Sequence, residues 1–172
     1  MSKLADKLRA LGVPEHDIEP ACEAHAQGDP SALLRVLLLH VMWREVAPEG
    51  EDESGRPRWV TDWLRLGDNG FPFIDAPALA RLADSGADLV AVRDVVRSAQ
   101  VLMLYNLANI LGDGWRFIES LIGRELAQGL HWEVAAANVR DGTRGPVISG
   151  LHECLGDLDP AGRGGDPRSA KG

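Results

Sequence analysis

A chain of 172 residues with 45% apolar and 26% charged side chains has the composition of an ordinary folded protein and can bury a real core, which excludes a disordered chain. Its formal net charge of -8 argues against nucleic acid or an anionic membrane surface as the main partner, because phosphate recognition rests on lysine and arginine. Two cysteines, Cys22 and Cys154, are too few for a disulfide-stapled secreted scaffold and point to a reducing cytoplasm.

The amino terminus, MSKLADKLRALGVPEHD, has neither the apolar core nor the small-residue cleavage site of an export signal. Of the 18 basic side chains only three are lysine, the usage of a GC-rich, bacterial genome. Ser2 to Leu11 reads as a short helix with Leu4, Leu8 and Leu11 on one face, closed by Gly12. Pro14 starts a second helix carrying Ile18, Cys22 and His25, with Pro20 early in it or breaking it. Asp29 and Pro30, a capping side chain and then a residue whose missing N–H costs nothing at the first helical position, open a third helix from Ser31 to Val46. That helix is nearly all apolar and is expected to pack on the central helix described below.

Pro48 ends the third helix, and the segment 47–58 is expected as an exposed, mobile acidic loop with Glu49, Glu51, Asp52 and Glu53 in a Pro/Gly/Ser frame. Trp59 and Trp63 follow at i,i+4 spacing in a helix ended by Gly67, and Phe71 to Ile74 forms a short apolar segment. Asp75 caps a helix from Ala76 to Asp84.

The stretch 88–111 is the centre of the reading: Asp88 can cap it, Gly112 can end it, and neither proline nor glycine interrupts it. Its first half sets Arg93, Arg97 and Gln100 against Val92, Val95, Val96 and Ala99, an amphipathic pattern. Its second half is apolar around most of the circumference and is expected to be surrounded, so Tyr105, Asn106 and Asn109 are candidates either for internal hydrogen bonding or for lining a pocket. Those polar interruptions keep every apolar run far below the ~20 residues a bilayer span requires.

Trp115, Ile118, Leu121, Ile122 and Leu126 keep helical spacing. The segment 130–150 fits either a continued helix or a hairpin, and the turn pair Asp141, Gly142 favours the hairpin, from Trp132 to Ile148. Leu151 to Leu158 would be a last short helix, and 159–172 a flexible polar tail outside the core. The expected fold is therefore mainly α: a compact helical bundle of one domain, 1–158, around a long central helix, with a small C-terminal β-hairpin.

Templates for chemistry mostly fail. The run from Gly112 to Phe117 lacks the third glycine of a dinucleotide loop and follows a helix, and the His152, Glu153 pair has Gly156 where a zincin needs its second histidine. No motif calls for an organic cofactor. Cys22, His25, His152 and Cys154 are a candidate zinc set by ligand type, with Cys22 and His25 on one helix face. His40 reads as a core histidine, and no catalytic residue is assigned. The surface carries the functional expectation: Glu49, Glu51, Asp52, Glu53, Arg56, Arg58, Trp59 and Trp63 join charge to aromatic anchors, as a protein-binding surface does. The leading expectation is a non-catalytic cytoplasmic binding module, of immunity or antitoxin type, that meets a basic partner protein. Its rivals are a small helical enzyme or zinc protein using Cys22, Cys154, His25, His40, His152 and the Asn106/Asn109 face, and a homodimer built on Trp59, Trp63, Phe71 and Phe73.

Overall fold

Seven α-helices and a two-stranded sheet make up the computed structural model, which describes residues 3–166. In order they are α1 (Lys3–Ala10), α2 (Glu15–Ala26), α3 (Ser31–Trp43), α4 (Arg58–Asp68), α5 (Ala76–Asp84), α6 (Leu89–Gly112), α7 (Gly114–Ile122), β1 (Ala135–Ala137) and β2 (Arg144–Val147), with a 3-10 turn at Gly156–Leu158. The capping side chains act as their chemistry dictates. Asp75 accepts from the N–H of Ala78 at 2.9 Å, and Asp88 from those of Val90 and Ala91, both at 3.0 Å, so two of the orphan donors of α6 are satisfied locally. The mainly helical fold, the long helix and the hairpin are all as the sequence indicates.

The described residues fall into two compact units. One is built from the chain up to Trp43 together with Leu102–Gly165, and the other from Arg44–Val101. In the first, α2 packs on α1 and α3, and α3 also packs on the 3-10 turn. Leu8, Ile18, Leu39 and Leu151 are its largest fully buried side chains. The Trp43 indole, buried, donates to the carbonyl of Leu155 at 2.8 Å and fastens α3 to the C-terminal segment.

In the other unit, α4 packs on α5, and Ala47, Trp59, Val60 and Leu79 form a core over which Trp63, Leu82, Leu89, Val92 and Val96 close. Trp59 and Trp63 meet edge to face at 5.3 Å. The amphipathic reading of the first half of α6 is corrected here. Arg93 and Arg97 are only 3% and 4% exposed, while Val95 is 71% exposed. The guanidiniums are tolerated inside because carboxylates meet them: Asp94 accepts from Arg93 at 2.9 Å, and Glu49 lies 3.9 Å from Arg97.

Two further expectations change. The second half of α6 is not surrounded, since Leu104 and Ala108 are buried whereas Leu102, Met103, Tyr105 and Leu107 are exposed. The polar segment after residue 158 begins with a buried side chain. Asp159 is 6% exposed and accepts from the N–H groups of Ala161 and Gly165, both at 2.9 Å, so the chain folds back on its own carboxylate. The remainder of that segment, 167–172, lies outside the described residues.

Candidate functional site

A concavity in the first unit is built by α7, the turn segment after it and the hairpin. The hairpin pairs antiparallel, Ala135 with Val147 and Ala137 with Arg144, and Asp141 shapes its turn by accepting from the N–H of Thr143 at 2.9 Å. Before β1 the chain runs past the start of α7. Gly114 makes that approach possible: a Cβ there would stand 2.6 Å from the carbonyl oxygen of Trp132 and 2.7 Å from its ring. Trp132 then donates its indole N–H to the carbonyl of Ile110 at 2.6 Å. That carbonyl belongs to the last turn of α6, where no intrahelical donor is available, so the indole supplies the missing partner.

The result is a cleft of about 500 Å³ with Trp115, Leu130, Trp132 and Val147 among its walls. This is within the size range of ligand sites, and half-exposed tryptophans offer large apolar area at low entropic cost. Around it the charges are arranged unevenly. Glu119 pairs with Arg124 at 3.5 Å, and Glu133 pairs with Arg144 and lies 3.7 Å from His131. The acids are sunk, with side chains 34% and 26% exposed, while the guanidiniums of Arg124 and Arg144 reach outward at 86% and 65%. A further guanidinium, that of Arg116, stands 5.4 Å from the Trp115 ring centroid. Chemically the cleft can grip an apolar side chain between aromatic walls and meet anionic neighbours at its rim.

The acidic loop is placed otherwise than the sequence reading required. It is not loose: Asp52 accepts from Ser54 Oγ at 2.6 Å, from Thr61 Oγ1 at 2.5 Å and from the N–H groups of Ser54 and Arg56 at 2.8 and 3.1 Å. The Ser54 and Thr61 bonds, chiefly, hold its carboxyl well below the usual range, with the backbone donors adding to them against some desolvation. Glu49 is turned to Arg97, and Glu51 joins Pro57 in an isolated antiparallel bridge. Trp59 is 1% exposed and is a core residue rather than a surface anchor, with Trp63 half-buried beside it. Glu51, Glu53 and Arg58 remain at the surface, and Arg56 is half-buried.

Tyr105, Asn106 and Asn109 do not line the cleft. Tyr105 and Asn106 are exposed, and Asn109 turns its amide back to donate to the Tyr105 carbonyl at 2.8 Å. Nor do Cys22, His25, His152 and Cys154 converge as zinc ligands. His25 is exposed, and burial, chiefly, together with the carboxylates of Asp17, Asp157 and Glu153, pushes the Cys154 thiol up against the opposing pull of Arg35. Among the described residues, the side chains that do converge with metal-competent spacing are His16, Asp17 and Asp157, whose ligand atoms lie within 4.8 Å of one another.

The sequence reading missed Trp115, Trp132, Arg124 and Arg144 as a group. They come from three separate elements, and the one local signal was a tryptophan at each end of a glycine-interrupted stretch. No helix among the described residues is long and apolar enough to cross a membrane. No protein-family model, curated protein or solved structure matches the chain.

Proposed function

We propose that the protein is a non-catalytic binding module that takes an apolar side chain of a partner protein, flanked by carboxylates, into the cleft between α7 and the hairpin. The observation that carries this reading is the pairing of half-exposed Trp115 and Trp132 walls with the outward guanidiniums of Arg124 and Arg144. Tryptophan and arginine are the side chains that most often dominate interface energies, and a guanidinium paired with Glu119 or Glu133 still has further N–H donors to offer a partner. The free cysteines Cys22 and Cys154 suit a reducing, cytoplasmic setting. Labelled peptides with a Leu, Phe or Trp anchor flanked by Asp, and the same peptides flanked by Lys, test it by fluorescence polarisation. Acid-flanked peptides bind more tightly, and Trp115→Ala weakens them by about tenfold or more. Equal affinity for both flanks, or no loss in Trp115→Ala, would overturn the assignment.

A second reading, an immunity- or antitoxin-like protein meeting a basic partner, is favoured by the exposure of Glu51 and Glu53. Glu49 and Asp52 are engaged within the chain. Association with a lysine-rich peptide would then depend on salt, and Glu51→Gln with Glu53→Gln would flatten that dependence. An unchanged salt slope in the double variant removes the reading.

A further inference from the structure

His16 and Asp17 stand in the first turn of α2 and Asp157 in the 3-10 turn, so the fold brings together side chains from the two ends of the sequence. The core sets their positions: Ile18, beside Asp17, is 1% exposed, and Leu158, beside Asp157, is 8% exposed. One imidazole nitrogen and two carboxylate oxygens thereby lie within 4.8 Å of one another. The Asp17 Oδ2 atom is sealed from solvent and has no hydrogen-bond partner among the described residues; the 19% of that side chain that stays exposed lies on its other atoms. A buried carboxylate oxygen left so is rare, because it has given up water without a replacement. The orphan faces the cluster, with His16 Nε2 at 3.6 Å, too far for a hydrogen bond. Nor does a fixed cation answer the two aspartates. The Arg35 guanidinium, from α3, donates to the carbonyl of Ser149 at 3.4 Å, and neither aspartate is ion-paired with an arginine or lysine among the described residues.

We propose that His16, Asp17 and Asp157 bind a zinc ion, which clamps the start of α2 to the 3-10 turn. The site shares no residue with the cleft and does not depend on the peptide reading. Ligand atoms at the corners of a tetrahedron with bonds of about 2.0 to 2.1 Å stand about 3.3 Å apart, so the His16 and Asp17 atoms are already close to that spacing. His16 and Asp157 are exposed, and rotation of their side chains closes the remaining distance without moving the backbone. The donor set selects the metal. Imidazole favours zinc over magnesium and calcium, which prefer oxygen alone, and manganese stands lower in the affinity order. Two carboxylates cancel the double charge of the ion, and the ion in turn offsets their mutual repulsion. Zinc therefore gives the orphan oxygen its partner. With three protein ligands, two of them exposed, the fourth position is open to water.

Calorimetric titration of the EDTA-stripped full chain with zinc chloride tests this. One equivalent should bind, equimolar magnesium should not compete, and the urea midpoint should rise with zinc. Asp157→Asn and His16→Ala, at exposed positions that leave the helical circular dichroism unchanged, should each weaken binding by about tenfold or more, since even outer-shell partners of a metal are worth that. His25→Ala, an exposed histidine near the other end of α2, should not. Cobalt(II) in place of zinc should show visible d–d bands without the near-ultraviolet charge-transfer band of a thiolate ligand. Absence of saturable binding overturns the proposal, as does equal competition by magnesium or an affinity unchanged in Asp157→Asn. An equal loss in His25→Ala would mark surface histidine binding only and overturn it. A thiolate band would do so too, by assigning the metal to Cys22 or Cys154.

Discussion

The indole N–H of Trp132 donates to the carbonyl oxygen of Ile110, 22 positions earlier, and closes the last turn of α6. The approach depends on Gly114, because the nearest atom to an added Cβ there is the backbone oxygen of Trp132, which cannot swing aside like the tip of a side chain. Gly114→Ala should therefore destabilise the first unit by about 1 to 3 kcal/mol, the usual cost of overpacking. It should also shift tryptophan emission to longer wavelength as Trp132 leaves its partner. An alanine variant with unchanged urea midpoint and emission would show that this contact does not fix the wall of the cleft.

Trp43 makes a comparable long-range bond in a drier place. Its indole is 2% exposed and donates to Leu155, 112 residues away. Trp43→Phe retains an apolar ring but strands the Leu155 carbonyl, so the loss should be about 1 to 3 kcal/mol in denaturant unfolding. Hydrogen exchange in the 151–158 segment should accelerate more than in α1. Uniform acceleration throughout the first unit would mean that the bond does not selectively secure the C-terminal segment.

The legible parts of this chain are those decided by neighbours in sequence. Asp75 and Asp88 cap because an aspartate beside a helix start is within reach of free N–H groups, whatever lies beyond. The Asp141, Gly142 turn, with Gly142 at φ +70°, sets the hairpin for the same reason. Periodicity in α6 correctly separates two faces but does not say which is covered. Arg93 and Arg97 went inside because Asp94 and Glu49 were there to receive them, and Glu49 is 48 positions from Arg97. The apolar second half is exposed at Leu102, Met103 and Leu107, which an apolar run in a sequence does not by itself reveal. The cleft was illegible for a related reason: its walls come from α7, the following turns and β2, and only Gly114 lets them meet.

Gln100 illustrates how a residue on the supposed solvent side can hold the fold. Its carbonyl oxygen accepts from the N–H of Ala47 at 2.7 Å and its amide donates to the carbonyl of Glu45 at 3.0 Å. These two bonds give partners to backbone groups of the segment 45–47, which lies beyond the last residue of α3. Ala47 is 1% exposed, so its N–H has little access to water once the glutamine is gone. Gln100→Ala should lower stability by about 1 to 3 kcal/mol, and Gln100→Glu, which retains the acceptor but loses the donor, should recover part of it at neutral pH. Equal losses in the two variants would show that the Ala47 bond contributes nothing.

Asp52 supplies the pH dependence. Its carboxylate accepts from Ser54, Thr61 and Arg56, and its folded-state pKa is therefore depressed relative to the unfolded value of about 3.9. A depressed carboxyl contributes stability that is present above the unfolded pKa and is lost as pH falls toward the folded one. The contribution should hold from neutrality down to about pH 5 and decline below that. Asp52→Asn keeps the shape and one acceptor oxygen but not the charge. The variant should therefore unfold at lower urea than wild type at pH 7, and the gap between the two midpoints should narrow as pH is taken from about 5 toward 2. Exchange of the Ser54 and Arg56 amides should be faster in the variant at pH 7. A midpoint gap constant from pH 7 to pH 2 would mean that the charge on Asp52 does not order the loop, and the loop would then be held by the Glu51–Pro57 bridge and its backbone bonds.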